Sequence, residues 1–189
     1  MRRLTVFNNV SLDGYFVDAK GSMDFAYKNA DDPEWKEFVS GNASGDGALL
    51  FGRVTYDMMA SWWPTPQAKA AMPAVADGMN RSVKYVVSRT MNDASWSNTT
   101  VLGGDLVSAV RALKQSDGPD IVILGSGSVV AQLAAAALID RYQLVVKPVV
   151  LGGGRSMFAG LPAPVALKPL STRTFGNGSV LLSYERALS

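Results

Sequence analysis

The stretch VILGSGSVVAQL, Val122–Leu133, decides how the chain is read. A β-branched apolar run stops at Gly125-Ser126-Gly127-Ser128 and resumes with Val129, Val130 and Leu133 at helical spacing. A strand that passes straight into a helix across two glycines points to an α/β sheet, and the loop then has two readings. Amides at a helix N-terminus are unpaired and carry partial positive charge, so the loop can cradle a phosphate that glycines allow close to the backbone. It can also be only a turn. The dinucleotide fingerprint is incomplete, because its third glycine position is Val130 and no acid follows at the usual distance to hold a ribose.

Composition narrows the chemistry. The 189 residues suggest one domain, 1–189, with enough chain for a substantial core. Eighteen basic and 16 acidic side chains leave a formal charge of +2, scattered singly, which argues against a nucleic-acid partner. The start, MRRLTVFNNVSLDGYF, has no signal-like apolar run, and Val129–Ile139 is far short of the roughly 20 residues of a membrane span. A cytoplasmic protein with no membrane partner is expected. With no Cys and no His, thiol nucleophiles, the Ser-His-Asp triad and imidazole metal sites are all excluded. No metal is expected. An enzyme built this way needs carboxylates, Lys, Tyr, water or an organic cofactor.

Outward from the loop, strands alternate with helices. Arg3–Leu12 reads as an opening strand, and the Asp- and Gly-rich DGYFVDAKGSMDF that follows reads as a long loop carrying aromatics. Asp32 before Pro33 marks a helix entrance, with Trp35, Phe38 and Val39 on one stripe. Ala48–Phe51 predicts a buried strand feeding a helix over Val54–Trp62, while Trp62–Gly78 reads as an irregular, proline-containing excursion. Val83–Thr90 predicts another strand, and Asp105 caps a helix striped by Val107, Val110 and Leu113. RYQLVVKPVVLGGGRSMF reads as a long strand ending in three glycines, and Gly176-Asn177-Gly178 joins two terminal strands in a hairpin. The fold class is therefore α/β: a mostly parallel, twisted sheet with an antiparallel C-terminal hairpin and helices on both faces.

Three strands end in anion-friendly groups. Besides the Gly125 loop, Gly52-Arg53 opens one helix and Ser88-Arg89 lies just past a third strand. Ligands of open α/β sheets sit beyond the carboxyl ends of strands, and two arginines near one phosphate suit NADP better than NAD. Taken in order, SLDGYF, LLFGRVTYDMM, YVVSRT, VILGSGSVVAQL and LIDRYQLVVKPVVLGGGRSMF resemble the dihydrofolate reductase-like superfamily. The nearest likeness is the reductase domain of the bifunctional riboflavin-biosynthesis deaminase–reductase, over nearly the whole chain. That resemblance implies a three-layer sandwich, NADPH as cofactor and a homodimer. It implies that Gly125, Ser126, Gly127, Ser128 and Val129 hold the pyrophosphate, with Gly52, Arg53 and Thr55 meeting phosphate from the other side. It places Ser88 and Arg89 at the 2′-phosphate, and Asp13 and Gly14 on a mobile loop beside the nicotinamide. Ser126 stands where the family usually has a second glycine.

The implied reaction is hydride transfer to a C=N or C=O of a small pterin- or aminopyrimidine-like heterocycle. Protonation would come from Asp13, Asp32 or water. Asp32 and Glu34 occupy the neighbourhood of the family's single substrate-binding acid, but Asp32 can equally cap the helix and Glu34 decorate its first turn. Tyr56, Trp62 and Trp63 can stack on a heterocycle or belong to core or interface. Lys147, in an apolar strand, reaches either the active site or an edge, and Arg155 in LGGGRSM either meets a substrate anion or closes a tight strand exit. The strand Tyr142–Val150 is a candidate for pairing across a dimer. No deaminase domain, usual beside the riboflavin reductase, is read in the 189 residues, so a different substrate is expected; a non-catalytic NADP(H)-binding sensor or scaffold of the same fold is the alternative function.

Overall fold

The computed structural model describes residues 1–28, 31–43 and 46–187. The chain runs β1 (Leu4–Ser11), β2 (Tyr15–Asp18), a 3-10 turn at Asp24–Ala26, α1 (Pro33–Ala43), β3 (Ala48–Gly52) and α2 (Arg53–Trp62). It continues through α3 (Pro66–Ala71), α4 (Pro73–Arg81), β4 (Lys84–Val87), β5 (Thr99–Leu102), α5 (Leu106–Gln115), β6 (Ile121–Ile123) and α6 (Gly127–Ala135). β7 (Arg141–Lys147), β8 (Gly154–Ser156), β9 (Leu167–Thr174) and β10 (Val180–Arg186) complete it.

Among the described residues, eight strands form one sheet in the order β5-β4-β3-β6-β1-β7-β10-β9, and β2 and β8 form a separate ribbon. The pairs from β5 to β7 are parallel. β10 is antiparallel to both neighbours and lies between β7 and β9. Parallel strands buried on both faces need apolar side chains in both directions, and ALLFG in β3 is buried throughout. Leu50 joins Val6, Ile123, Val130 and Leu133 under α5 and α6 on one face. Leu49, Phe51 and Val86 join Tyr56 and Met79 under α2 and α4 on the other. α1 covers the rest of that second face, where Trp35 and Phe38 meet Phe7, Phe175 and Leu181. The result is the expected sandwich of helices, sheet and helices.

Four local expectations are corrected. Trp62–Gly78 is not irregular. Thr65 accepts a hydrogen bond from the Ala68 amide, and Pro66 and Pro73 each open a helix, because a proline at the first turn loses no helical bond there. The loop after β1 contains β2, whose ladder partner β8 lies more than a hundred residues away and leaves no local signal. The long strand after Arg141 ends at Lys147, since Pro148 has no amide to continue the ladder. β7 is flanked by β1 and β10, so Tyr142–Val150 has no free edge to offer a second copy.

Leu133 is fully buried in the larger core, against sheet and helix. Leu133→Ala is expected to lower the unfolding free energy by about 2–5 kcal/mol, read by urea denaturation with an unchanged m-value.

Candidate functional site

The carboxyl ends of β3 and β6 are held side by side by parallel pairing, with Leu50 opposite Ile123. The Gly52 amide donates to the Gly125 carbonyl at 3.0 Å, so the starts of α2 and α6 meet. A Cβ on Gly52 would collide with Ser126 Oγ, and one on Gly127 would sit 2.6 Å from the Phe16 ring. Glycine is required at both points by close approach. The Gly125–Ser126 peptide bond is cis.

Neither helix start is capped by its own chain. Gly52 has no side chain to offer, and Ser126 makes no capping bond. Thr65 and Asp105, by contrast, close α3 and α5 with side-chain oxygens. The Val129 amide turns inward to the Ser126 carbonyl, while those of Gly127 and Ser128 have no partner among the described residues. Ser126 Oγ and Ser128 Oγ are 3.1 Å apart. These groups open on a cleft of about 730 Å³ whose polar wall includes Thr55, Ser126, Gly127 and Ser128. Its opposite wall comes from the β2–β8 ribbon and the segment after it: Phe16, Met23, Asp24, Tyr27, Arg155 and Ser156. Arg155 stacks over Phe16 at 5.7 Å. Two helix N-termini facing one cleft favour an oxyanion, and the apolar remainder suits a ring.

The expected site residues fall into three groups. Thr55, Ser126, Gly127 and Ser128 line the cleft, with Gly52 against Ser126 and Gly125 against Thr55; the Val129 side chain is in the core and its amide is used. Arg53 is half-exposed at the start of α2 and pairs with Asp57 at 3.3 Å. Ser88 Oγ accepts from the Thr90 and Met91 amides, and Arg89 beyond it is exposed with no ion-pair partner among the described residues. Gly14 turns the chain after β1 at φ +84°.

The second group is committed to structure. Asp13 accepts from the Leu151 and Gly152 amides at 3.1 and 2.8 Å, tying the loop after β1 to the triple-glycine loop. The Ser11 hydroxyl, and then those two amides, hold its carboxyl at about 2. Its oxygens are engaged with the triple-glycine loop, and it is not among the cleft-lining residues. Asp32 Oδ1 caps α1 through the Trp35 amide at 2.7 Å, and Glu34 pairs with Arg173 at 2.6 Å. Tyr56 is 2% exposed, and its hydroxyl accepts from the Trp96 amide, so it is core and not a stacking platform. Lys147 stands apart from these: it is 2% exposed with Nζ over the Trp35 ring at 4.4 Å and no hydrogen-bond partner among the described residues, and burial lowers its pKa.

Trp62 and Trp63 form the third group. Both stand at the far end of α2, outside the cleft lining. Sequence reading passed over Asp24, the one acid among the lining residues, together with Met23 and Tyr27. The aromatic-bearing loop was the available signal; which of its polar residues faces inward depends on the β2–β8 pairing.

The sequence pattern of the RibD C-terminal domain matches residues 2–181. The chain belongs to the RibD C-terminal domain family. The uncharacterized protein YyaP of Bacillus subtilis (strain 168) is 27% identical over 183 residues, covering 97% of this chain and 94% of YyaP. A Shewanella sp. PV-4 protein named for riboflavin biosynthesis has a similar structure, with TM-score 0.74 and 23% identity over 98% of this chain and 99% of that one. Dihydrofolate reductase from Enterococcus faecalis, solved with NADP(H), superposes with TM-score 0.65 at 15% identity, over 97% and 96% of the two chains. Family and fold are thus those of reductases. Among the described residues no helix is long and apolar enough to cross a membrane.

The depressed carboxyl of Asp13 links its clamp to pH. Its stabilising contribution is present above the ordinary value of 3.8 and is lost as pH falls through about 2. Asp13→Asn is expected to lower stability at pH 7, the difference from wild type shrinking below pH 4 in urea denaturation.

Proposed function

We propose that this chain is an NADPH-dependent reductase transferring hydride to a C=N or C=O of a small heterocyclic substrate. The observation that carries the reading is the meeting of two uncapped helix N-termini at one cleft. The free amides of Gly127 and Ser128, with the hydroxyls of Thr55, Ser126 and Ser128, would hold the pyrophosphate, and the close approach at Gly52 leaves the backbone bare there. Ser88 and Arg89 are assigned to the 2′-phosphate. NADPH, when bound, supplies the hydride.

The chain's own work is positioning and exclusion of water. Phe16 and Met23 form an apolar wall, and Tyr27 offers a ring for a planar substrate. Asp24 is the carboxylate placed to accept a hydrogen bond from a substrate N–H and to relay a proton through water. The same cleft also suits an NADP(H)-binding sensor or scaffold, a reading favoured by the structural commitment of both Asp13 and Asp32.

Fluorescence titration tests the cofactor assignment. Wild type should prefer NADPH to NADH, and Arg89→Ala should weaken NADPH about tenfold or more while leaving NADH unchanged, the loss of one charge-assisted contact. Equal binding of the two cofactors by wild type would sink the assignment. Substrate-dependent NADPH oxidation, tried with dihydropterins and aminopyrimidines, tests catalysis. Asp24→Asn should slow it at least tenfold with NADPH binding intact, whereas Asp32→Asn, an equally good cap, should leave it near wild type. If NADPH binds tightly and no such substrate is reduced, the sensor reading stands instead.

A further inference from the structure

We infer that a second cleft, at the amino edge of the sheet, binds a phosphate-bearing small molecule independently of the cofactor cleft. It encloses about 400 Å³ between the start of β1, the start of β7 and the end of β10, within the usual range of ligand pockets. The eight residues of β1 separate it from the carboxyl edge by roughly 25 Å, at about 3.3 Å per residue.

Charge and pairing indicate the ligand. The lining carries Arg3, Arg141, Lys168 and Arg186 against Asp140 and Glu185. Both acids already have partners. Asp140 Oδ2 accepts from the Leu4 amide at 2.7 Å and from the Lys114 ammonium, and Glu185 lies 3.3 Å from Lys168. Arg3, Arg141 and Arg186 have no carboxylate partner among the described residues.

A solvated rim would extend its arginines into water. Arg186 Nε is instead buried with no acceptor, and so is the hydroxyl of Tyr142, which lies within electrostatic reach of both Arg186 and Asp140. Leaving such a donor unpaired costs about 1–3 kcal/mol, more for a charged group, and both orphans are donors. Arg186 lines the cleft, so an oxyanion there supplies the acceptor its Nε lacks; Tyr142 packs in the core behind it. Arginine forks match phosphate oxygens in pairs, which favours a phosphate group over a single carboxylate.

Pyrophosphate is the probe, added to the full chain and followed by ¹H–¹⁵N amide shifts, with citrate run in parallel. Saturable shifts at Arg3, Arg141, Arg186 and Ala187, with submillimolar affinity and weaker response to citrate, are expected. Arg141→Ala with Arg186→Ala should weaken that affinity at least tenfold, and the single, surface-exposed Lys168→Ala about threefold, all without changing NADPH titration. Shifts confined to Ser126–Val129, no saturation by 10 mM, or citrate binding as tightly as pyrophosphate would overturn the proposal. The outcome is separate from the reductase reading, since loss of NADPH binding with intact amino-edge shifts defeats only the latter.

Discussion

The structure turns on the contact between Gly52 and the Gly125–Ser126 turn. Parallel pairing of β3 with β6 delivers two strand ends to the same place, and the Gly52 amide locks them at 3.0 Å. A side chain at Gly52 would displace the Ser126 hydroxyl from the contact. Because the two following helices begin at this contact, their unpaired amides and dipoles add at one point instead of pointing at separate patches of solvent. The remainder of the site is arranged around that positive corner. α2 contributes Thr55, α6 contributes Ser126 and Ser128, and the β2–β8 ribbon closes the far wall with Phe16.

How much of this was legible depended on the range of the signal. The strand–glycine–helix units at Gly52 and Gly125 are local, and their periodicity switches from 2 to 3.6 within a few residues, so both strands and both helices were readable. The terminal hairpin was equally local, announced by Gly176-Asn177-Gly178. The β2–β8 ribbon was not, since its halves are short and find each other only across the fold. The two proline-started helices left no clear local signal, because proline suits a helix's first turn and a loop equally well.

The acids show the same division. Asp32 before Pro33 announced a cap, and a cap it is. Asp13 gave no sign of its partners, because the amides it ties belong to a loop nearly 140 residues away. Asp24 lay within a loop already marked by its aromatics, yet only the ribbon's placement turns it to the cleft. Tyr56 and Lys147 illustrate the converse. Their types suggested chemistry; burial against Trp96 makes Tyr56 part of the packing, while Lys147 is buried over Trp35 with an ammonium that has no hydrogen-bond partner among the described residues.

The position of β10 between β7 and β9 has a consequence for how the chain is made. During synthesis the central strand β1 waits for β6 and β7, and the outer edge of β7 then stays unpaired until β10 emerges. β9 is made earlier but has no other strand to lean on, because its ladder is with β10 alone. A sheet that lacks β10 has an open edge at β7, the kind of surface that other chains can add to. The late strand that closes that edge carries Leu181 into the core beneath α1, so finishing the sheet and sealing the second face are one event.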